Sequence, residues 1–275
     1  MRRFLLRSLL ANRGFLENIA MALVLPFVAG LVNAEGFFIV GVYTSHVTGT
    51  VARAGDELAQ GHFAVGLHAL GMVAAFFVGA FTATALVLWA RRGQKARYSL
   101  ALSAEILTLL AVTLLGLLHP THFRFAQPVT LLLLCFAMGA QNALVTKLSG
   151  AVVRTTHLTG IVTDLGIESV RALFWLRDTA RQRPLGEQVR LFTHLLEFPE
   201  LKRLRLHAAI FLSFFSGALV GPIMYLRQGY RAMLLPIVVL TALLIFDALV
   251  GLRSVEEAQV RDPDPARSAQ TPPAA

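Results

Sequence analysis

Six long apolar stretches constrain this chain more than any other feature, because each is almost free of charged residues. They cover 19–43, 66–90, 99–118, 129–146, 208–226 and 232–250. A helix of about 20 apolar residues crosses the hydrocarbon core of a bilayer, and backbone polar groups cannot be left unsatisfied there. The alternation of a transmembrane β-barrel is absent from the sequence. The pattern therefore predicts an all-α polytopic membrane bundle with six transmembrane helices.

The distribution of charge predicts the orientation of the bundle. Only 15% of the 275 residues are charged, against about 25% in a typical soluble domain. Of the 25 Lys and Arg residues, 21 fall in the N-terminal segment, the loop at 91–97, the long segment 147–206 and the tail. This bias places both termini in the cytoplasm. It also accounts for the net charge of +9 without nucleic acid, with anionic lipid headgroups as the expected contact.

An internal repeat narrows the architecture further. Residues 44–57 match 155–168 at a constant offset of 111, with seven of 14 residues identical, and both copies contain Thr-x-His-x-Thr-Gly. We call 44–57 and 155–168 the first and second repeat segments. A duplicated element of this kind determines architecture before it determines chemistry. It predicts a site that is built from two copies of one element.

Further matches extend the repeat to whole halves of the chain. The motif Gly-x-x-Asn-Ala at 30–34 returns at 139–143 with an offset of 109, and 76–80 resembles 214–218. Each half holds three predicted spans, an odd number, so the second half must enter the membrane in the opposite direction. The result would be two inverted three-helix repeats, which in many secondary transporters place the substrate site near the membrane midplane.

The domain boundaries follow from these halves. Residues 1–118 would hold a basic lead-in and the first three spans, and 128–252 would hold the second three. A loop at 119–128 separates them. A charged insertion at about 169–205 is typical of cytoplasmic amphipathic helices. Residues 253–275 are typical of a disordered tail.

Ionisable side chains recur on one face of the second repeat segment. His157, Asp164 and Glu168 lie at i, i+7 and i+11 and share a helix face. The first repeat segment has Arg53 where the second has Asp164. Such groups are costly in a membrane and usually line a water-filled path or pair within the bundle. Histidine titrates near neutral pH and can couple proton movement to a conformational change.

These features predict a site for a small polar or anionic solute. Thr44, Ser45, Thr155 and Thr156 would be N-caps that open short helices, and the positive ends of those helices would face the solute. The predicted solute-binding residues are Asn33, Thr44, His46, Thr48, Gly49, Asn142, Thr156, His157, Thr159, Gly160, Asp164 and Glu168. The asparagines would supply amide groups, the histidines would bind solute or carry a proton, and the glycines would permit close approach.

A purely structural role for the same residues stays open. Thr and Asn side chains also form hydrogen bonds between membrane helices. A satisfied histidine in a capped turn can simply set the bend between two helices. Asp164 and Glu168 could form an interfacial salt bridge with Arg154 or Arg171.

The sequence offers little support for a metal, a cofactor or an enzyme. One ion cannot bind His157, Asp164 and Glu168 together, because they extend over about 16 Å of helix. The sequence contains no Cys/His cluster, phosphate-binding loop or nucleophile motif. We therefore expect no metal ion, no cofactor and no enzymatic activity.

The chain resembles the bacterial YoaK-type family, a six-span membrane family of unknown function. The resemblance is carried by 29–34 and 43–49, and more strongly by 138–143, 147–150 and 154–168. Two departures are an acid at Glu35, where a small residue is expected, and Ser169-Val170 in place of Leu-Gly. The resemblance implies a location in the bacterial cytoplasmic membrane and implies no activity.

The sequence thus favours a transporter or channel for an unidentified solute. The alternatives are a membrane scaffold or sensor that contacts partners through the 169–205 insertion, and an intramembrane enzyme that uses the histidines. A transporter predicts a polar cavity bordered by both repeat segments, whereas a scaffold predicts a dry interior. The expected partners are membrane lipid and a small solute rather than nucleic acid, and a homo-oligomer is left open.

Overall fold

The part of the chain that the structure describes is helical. A computed structural model describes residues 23–90, 98–118, 123–148, 158–181 and 201–249. The helices are α1 (Leu23–Val40), α2 (Val47–Ala59), α3 (Phe63–Trp89), α4 (Ser99–Leu118), α5 (Phe123–Leu148), α6 (Leu158–Arg181), α7 (Lys202–Gln228), a 3-10 helix (Gly229–Met233) and α8 (Leu234–Leu249). These ranges contain no β-strand, so the all-α prediction is confirmed for them.

Five segments of the described helices are long and apolar enough to cross a membrane. They are Leu23–Val40, Phe63–Trp89, Ser99–Leu118, Gln127–Lys147 and Arg203–Leu249. The last has 47 residues and contains α7, the 3-10 helix and α8, where the sequence predicted two spans. With these apolar helices, the chain is a multi-pass membrane protein.

Helices α1 and α5 form the centre of the bundle. In the most apolar stretch of α1 and of α5, 67% and 61% of the residues are buried, against at most 39% in the other three segments. Gln141 of α5 donates a hydrogen bond from Nε2 to the carbonyl of Leu25, at 3.3 Å. Further along, Gly36 of α1 lies against the side chain of Leu134. These contacts pair an early residue of α1 with a late residue of α5, so the two central helices are antiparallel.

Glycines allow each central helix to approach one outer helix closely. At four glycines an added Cβ would overlap a main-chain carbonyl of the neighbouring helix, so no side chain fits. The contacts are Gly30–Phe214 and Gly217–Phe27 between α1 and α7, and Gly139–Phe76 and Gly79–Phe136 between α5 and α3. The α1 residues of these contacts correspond to the α5 residues at a sequence offset of 109, and the α3 residues correspond to the α7 residues at an offset of 138. The two pairs of contacts are therefore made by equivalent residues. Such small-residue contacts are a common basis of helix packing in membranes.

Helices α4 and α8 run antiparallel at the side of the bundle. The buried carboxylate of Asp247, near the end of α8, accepts hydrogen bonds from the Tyr98 N–H at 3.0 Å and the Ser99 hydroxyl at 2.8 Å. A carboxylate is favourable at the N-terminus of a helix, here that of α4. At the other end of α4, Gly116 lies against the ring of Tyr230 in the 3-10 helix. The 3-10 helix and α8 together therefore extend along α4.

Two predicted boundaries need correction. The loop predicted at 119–128 ends earlier, because α5 begins at Phe123 and contains Pro128. Pro128 is the sixth residue of α5, past the four N–H groups that lack partners within a helix, so it removes one hydrogen bond of the helix. The predicted insertion is not separate from the second repeat segment, since α6 continues without a break to Arg181. Residues 182–200 of the insertion, the lead-in and the tail lie outside the described residues, and the last residues of the insertion begin α7.

Candidate functional site

A cavity of about 630 Å³ lies where the end of α1, the helix α2 and the first turns of α3 and α5 meet. We call it the first cavity. Its polar lining consists of Tyr43, His46, Thr50, Arg53, His68 and Gln127. Phe37, Val40, Met72 and Leu131 are among its apolar walls. An apolar enclosure with a few convergent polar groups is the usual form of a small-molecule site.

A tied turn places the first repeat segment at this cavity. Helix α1 ends at Val40 because Gly41 adopts a φ of +77°, and its N–H donates to the carbonyl of Phe37 at 2.8 Å. The side-chain oxygen of Asn33 then accepts hydrogen bonds from the N–H of Ser45 at 3.2 Å and from its hydroxyl at 2.9 Å. The turn is thereby held against α1, and α2 begins beside the cavity.

His46 occupies the start of α2 and folds over its first turn. It is the N-cap residue and makes no capping hydrogen bond with its side chain. A Cβ at Gly49 would overlap the imidazole ring, so the ring lies where Gly49 has no side chain. Both residues line the first cavity. A side chain at position 49 would therefore displace the imidazole ring of His46 from this place.

The prediction that Thr44 and Ser45 cap this helix is wrong. Helix α2 begins at Val47, later than predicted, and Ser45 is already bonded to Asn33. The hydroxyl of Thr44 is buried near Gly36 and has no hydrogen-bond partner among the described residues. The first turn of α2 therefore has no side-chain cap, although the Val47 N–H donates to the carbonyl of Ser45 at 3.0 Å.

The lining of the first cavity carries one positive charge and no negative charge. Arg53 carries the one permanent charge among the lining residues, and none of these residues is acidic. The Nε of Arg53 lies 3.7 Å from a carboxylate oxygen of Glu57, which also contacts His62 Nδ1 at 3.0 Å. Thr50 donates its hydroxyl hydrogen to the carbonyl of His46 at 2.9 Å. The charge of Arg53 is therefore partly offset by Glu57, which lies outside the lining.

A second cavity, of about 480 Å³, lies between α6 and α7. Its lining consists of Asp164, Ile167, Glu168, Arg171, Arg203, Leu206 and His207. The Nε2 of His207 is 4.0 Å from a carboxylate oxygen of Asp164, and Nδ1 is buried without a partner in the described ranges. Acidic and basic groups are mixed here, so this cavity lacks the single-signed lining of the first one.

The remaining predicted residues lie away from both linings. Thr48 and Thr159 are exposed, and Gly160 is half-buried. Asn142 is half-buried on α5, where its carbonyl accepts a hydrogen bond from Thr146 at 2.7 Å. Thr155, Thr156 and His157 lie outside the described residues.

The structure thus brings together some of the predicted residues and separates others. His46 and Gly49 line the first cavity, and Asp164 and Glu168 line the second. Asn33 and Thr44 adjoin the first cavity through the turn but do not line it. The described parts of the two repeat segments therefore line two separate cavities.

Two histidines were missed by the sequence reasoning. His68 lines the first cavity from α3, and His207 lines the second from α7. At the offset of 138, His207 aligns with Ala69, the residue after His68. His68 lies at the start of the predicted span 66–90, and His207 directly precedes the predicted span 208–226. Ionisable groups at membrane depth are candidates for a functional role, so this rule would have found both histidines. Gln127 and Arg203 had no such signal.

One protein-family model matches most of the chain. The family model described as a protein of unknown function, DUF1275, matches residues 21–246, which include both repeat segments and both cavities. This is consistent with the YoaK-type resemblance. No curated protein and no solved structure gives a significant match. Since the match covers most of the 275 residues, the chain belongs to the DUF1275 family.

Proposed function

We propose that the chain is a transporter or channel for a small anionic solute, which binds in the first cavity. The observation that carries this proposal is the cavity lining, which combines Arg53, His46 and His68 with no acidic side chain. The volume of about 630 Å³ lies within the range of small-molecule sites. A scaffold would not require such a cavity.

The first turn of α2 adds a second contribution for an anion. This turn lacks a side-chain cap, and Gly49 and Thr50 belong to the cavity wall. The positive end of the helix therefore lies beside the cavity. Arg53 supplies the permanent positive charge, and His46 and His68 add hydrogen bonds or further charge. Tyr43 and Gln127 supply neutral hydrogen-bonding groups.

The proposal includes two inverted three-helix halves, one with α1, α3 and α4 and the other with α5, α7 and α8. The equivalent glycine contacts support it, because the first helix of each half packs on the second helix of the other half. The halves are therefore intertwined and do not lie side by side. In proteins with this symmetry, alternating access results from movement of one unit against the other.

The proposal also includes six spans, with α7 and α8 crossing separately. Helix α7 runs parallel to α1, since the Ser213 hydroxyl donates to the Leu23 carbonyl near one end. Near the other end the rings of Tyr225 and Phe38 lie 6.0 Å apart. Helix α8 then returns antiparallel to α4. With cytoplasmic termini, as the charge bias favours, the first cavity would open outward and the second toward the cytoplasm of a bacterial cell.

The test is ligand-dependent stability of the purified protein in detergent. Inorganic phosphate, sulfate and small carboxylates would be compared with choline and potassium chloride as cation controls. A ligand that binds only the folded state raises its stability, by about 2.7 kcal/mol at 100 times its Kd. We expect at least one anion to raise the midpoint of thermal unfolding of the wild type, and this shift to be lost in Arg53→Gln.

The matched control is Arg231→Gln, which removes an exposed arginine outside the cavity. It should keep the anion-dependent shift. The proposed site is contradicted if Arg53→Gln responds to anions as the wild type does. It is equally contradicted if only cations stabilise the protein.

A further inference from the structure

Helix α1 carries a buried acid on the side that faces α7. Glu35 is 0% exposed, and neither of its carboxylate oxygens has a hydrogen-bond partner in the described part of the chain. Its Cγ lies against Gly221, 3.0 Å from where a Cβ would stand on that glycine. An ionised carboxylate buried without a partner is very costly. In this packed arrangement Glu35 must therefore carry a proton.

The stretches of α7 and α5 that contact α1 beside Glu35 contain no charged residue. On α7 there is no charged residue between His207 and Arg227, and the titratable group closest to Gly221 in sequence is Tyr225. The Tyr225 ring lies 6.0 Å from that of Tyr230. On α5, which contacts α1 at the adjacent Gly36, the titratable group between Leu131 and Thr146 is Cys135. Tyrosine and cysteine are ordinarily neutral at neutral pH, so ionisation of Glu35 requires water.

The same helix forms a wall of the first cavity. Phe37 and Val40 line the cavity, and Phe37 follows Glu35 by two residues, which places them on nearly opposite sides of α1. A movement of α1 away from α7 that admits water to Glu35 must therefore also displace the cavity wall. One helix therefore carries both the buried acid and a wall of the first cavity.

The acid is present in one half of the repeat only. At the offset of 109 the counterpart of Glu35 is Leu144, and at 138 the counterpart of Gly221 is Ala83. The equivalent contact between α5 and α3 has no carboxyl group at this point. The asymmetry confines this chemistry to the contact between α1 and α7.

We propose that Glu35 is a proton-binding site that couples proton release to opening of the contact between α1 and α7, and so to the first cavity. The acid keeps its proton while the helices are packed. When the contact opens, the carboxyl O–H bond breaks and water accepts the proton, which leaves a hydrated carboxylate. Transport through the first cavity is then proton-coupled, an inference that rests on the function proposed above.

The proton itself can be observed without any solute. Infrared difference spectra of the purified protein would be recorded across a pH titration, following the C=O stretch of protonated carboxyl groups. We expect a protonated band that persists at neutral pH, disappears at alkaline pH and is absent in Glu35→Gln. Glu57→Gln, which removes a surface acid, should keep it, and Glu105→Gln identifies the band of the other unpartnered buried acid. A spectrum unchanged in Glu35→Gln would overturn the proposal.

Coupling to the cavity needs a second readout. A single cysteine would replace Val65, which lines the cavity, in a Cys135→Ala background. Its reaction rate with a charged thiol reagent would be divided by that of Gln60→Cys in the exposed turn between α2 and α3. We expect this ratio to change severalfold over the pH range in which the infrared band disappears, and to stay flat in Glu35→Gln.

The coupling is refuted if the ratio is flat in the wild-type background, or if it changes equally in Glu35→Gln. Neither measurement uses a solute, so a failure of the anion-binding test would not be confused with a failure here. If Cys135→Ala does not fold, the infrared titration still decides whether Glu35 binds the proton.

Discussion

At the scale of single residues, Asn33 and His46 differ in what their side chains contact around the turn before α2. Asn33 was predicted to bind solute, but its side-chain oxygen accepts two hydrogen bonds from Ser45 and holds the turn before α2. This is the structural role that the sequence left open. His46, close by in the same turn, makes no capping bond and faces the cavity instead. The turn positions the histidine, and the histidine is available for the solute.

We predict that Asn33→Ala lowers the free energy of unfolding by about 1–3 kcal/mol, because it leaves the Ser45 N–H without its acceptor. The measurement is reversible unfolding in detergent. Thr48→Ala, at an exposed position outside the cavity, is the control and should change little. Combined with Ser45→Ala, the effects should be clearly less than additive. Additive effects would mean that the two side chains do not interact.

At the scale of helices, close contact through glycine decides which helices are neighbours. Lipid is as apolar as the side chains, so helix association depends on packing rather than on removal from water. The contacts at Gly30 and Gly217 and those at Gly139 and Gly79 bring backbones together where any side chain would overlap a carbonyl. A change at one of these positions therefore acts on a whole helix.

We predict that Gly79→Ala destabilises the protein by about 1–3 kcal/mol, because the new methyl group forces α3 away from the carbonyl of Phe136. Gly71→Ala on the same helix is the matched control, since nothing lies within 4 Å of its added Cβ. It should be neutral or stabilising by up to about 1 kcal/mol, through helix propensity. Gly217→Ala, at the equivalent contact, should resemble Gly79→Ala. Equal losses of stability from the substitutions at Gly71 and Gly79 would argue against the close contact between α3 and α5.

At the scale of the whole molecule, the directions in which the helices run relate the positions of the two cavities. Helices α1 and α7 run parallel, whereas α4 and α8 run antiparallel. In a six-span arrangement these directions put the first cavity and the second cavity at opposite membrane faces. Such an arrangement suits a protein whose solute site opens first to one side and then to the other.

We predict that cysteines at Gln60 and Arg231 react from one side of the membrane and a cysteine at Arg177 from the other, in a Cys135→Ala background. All three positions are exposed. The measurement is labelling of intact cells with a reagent that does not cross membranes, compared with labelling of inverted vesicles. If Arg177 and Gln60 share a side, the inverted symmetry is wrong. An unreactive Arg231 position would indicate that α7 and α8 cross as one span.

Much of the helix pattern could be predicted, because apolar runs report local chemistry. The span expected at 99–118 coincides with α4, and most other spans differ from their helices by a few residues. The face shared by Asp164 and Glu168 also follows from helix periodicity, and both line the second cavity. The tie between Asn33 and Ser45 did not follow, because their partnership depends on how the chain turns after Gly41.

The sequence by itself determined a helical membrane protein with a duplicated segment, since span length, charge bias and repetition are properties of the chain as written. Only the tertiary structure decided that the described parts of the two repeat segments line separate cavities, and that α1 packs on α7 while α5 packs on α3. It also decided that Glu35 faces a glycine and no charge. The physical reason is that crossing partners in a bilayer are chosen by shape at close range. A sequence lists the small residues but does not say which helix each of them meets.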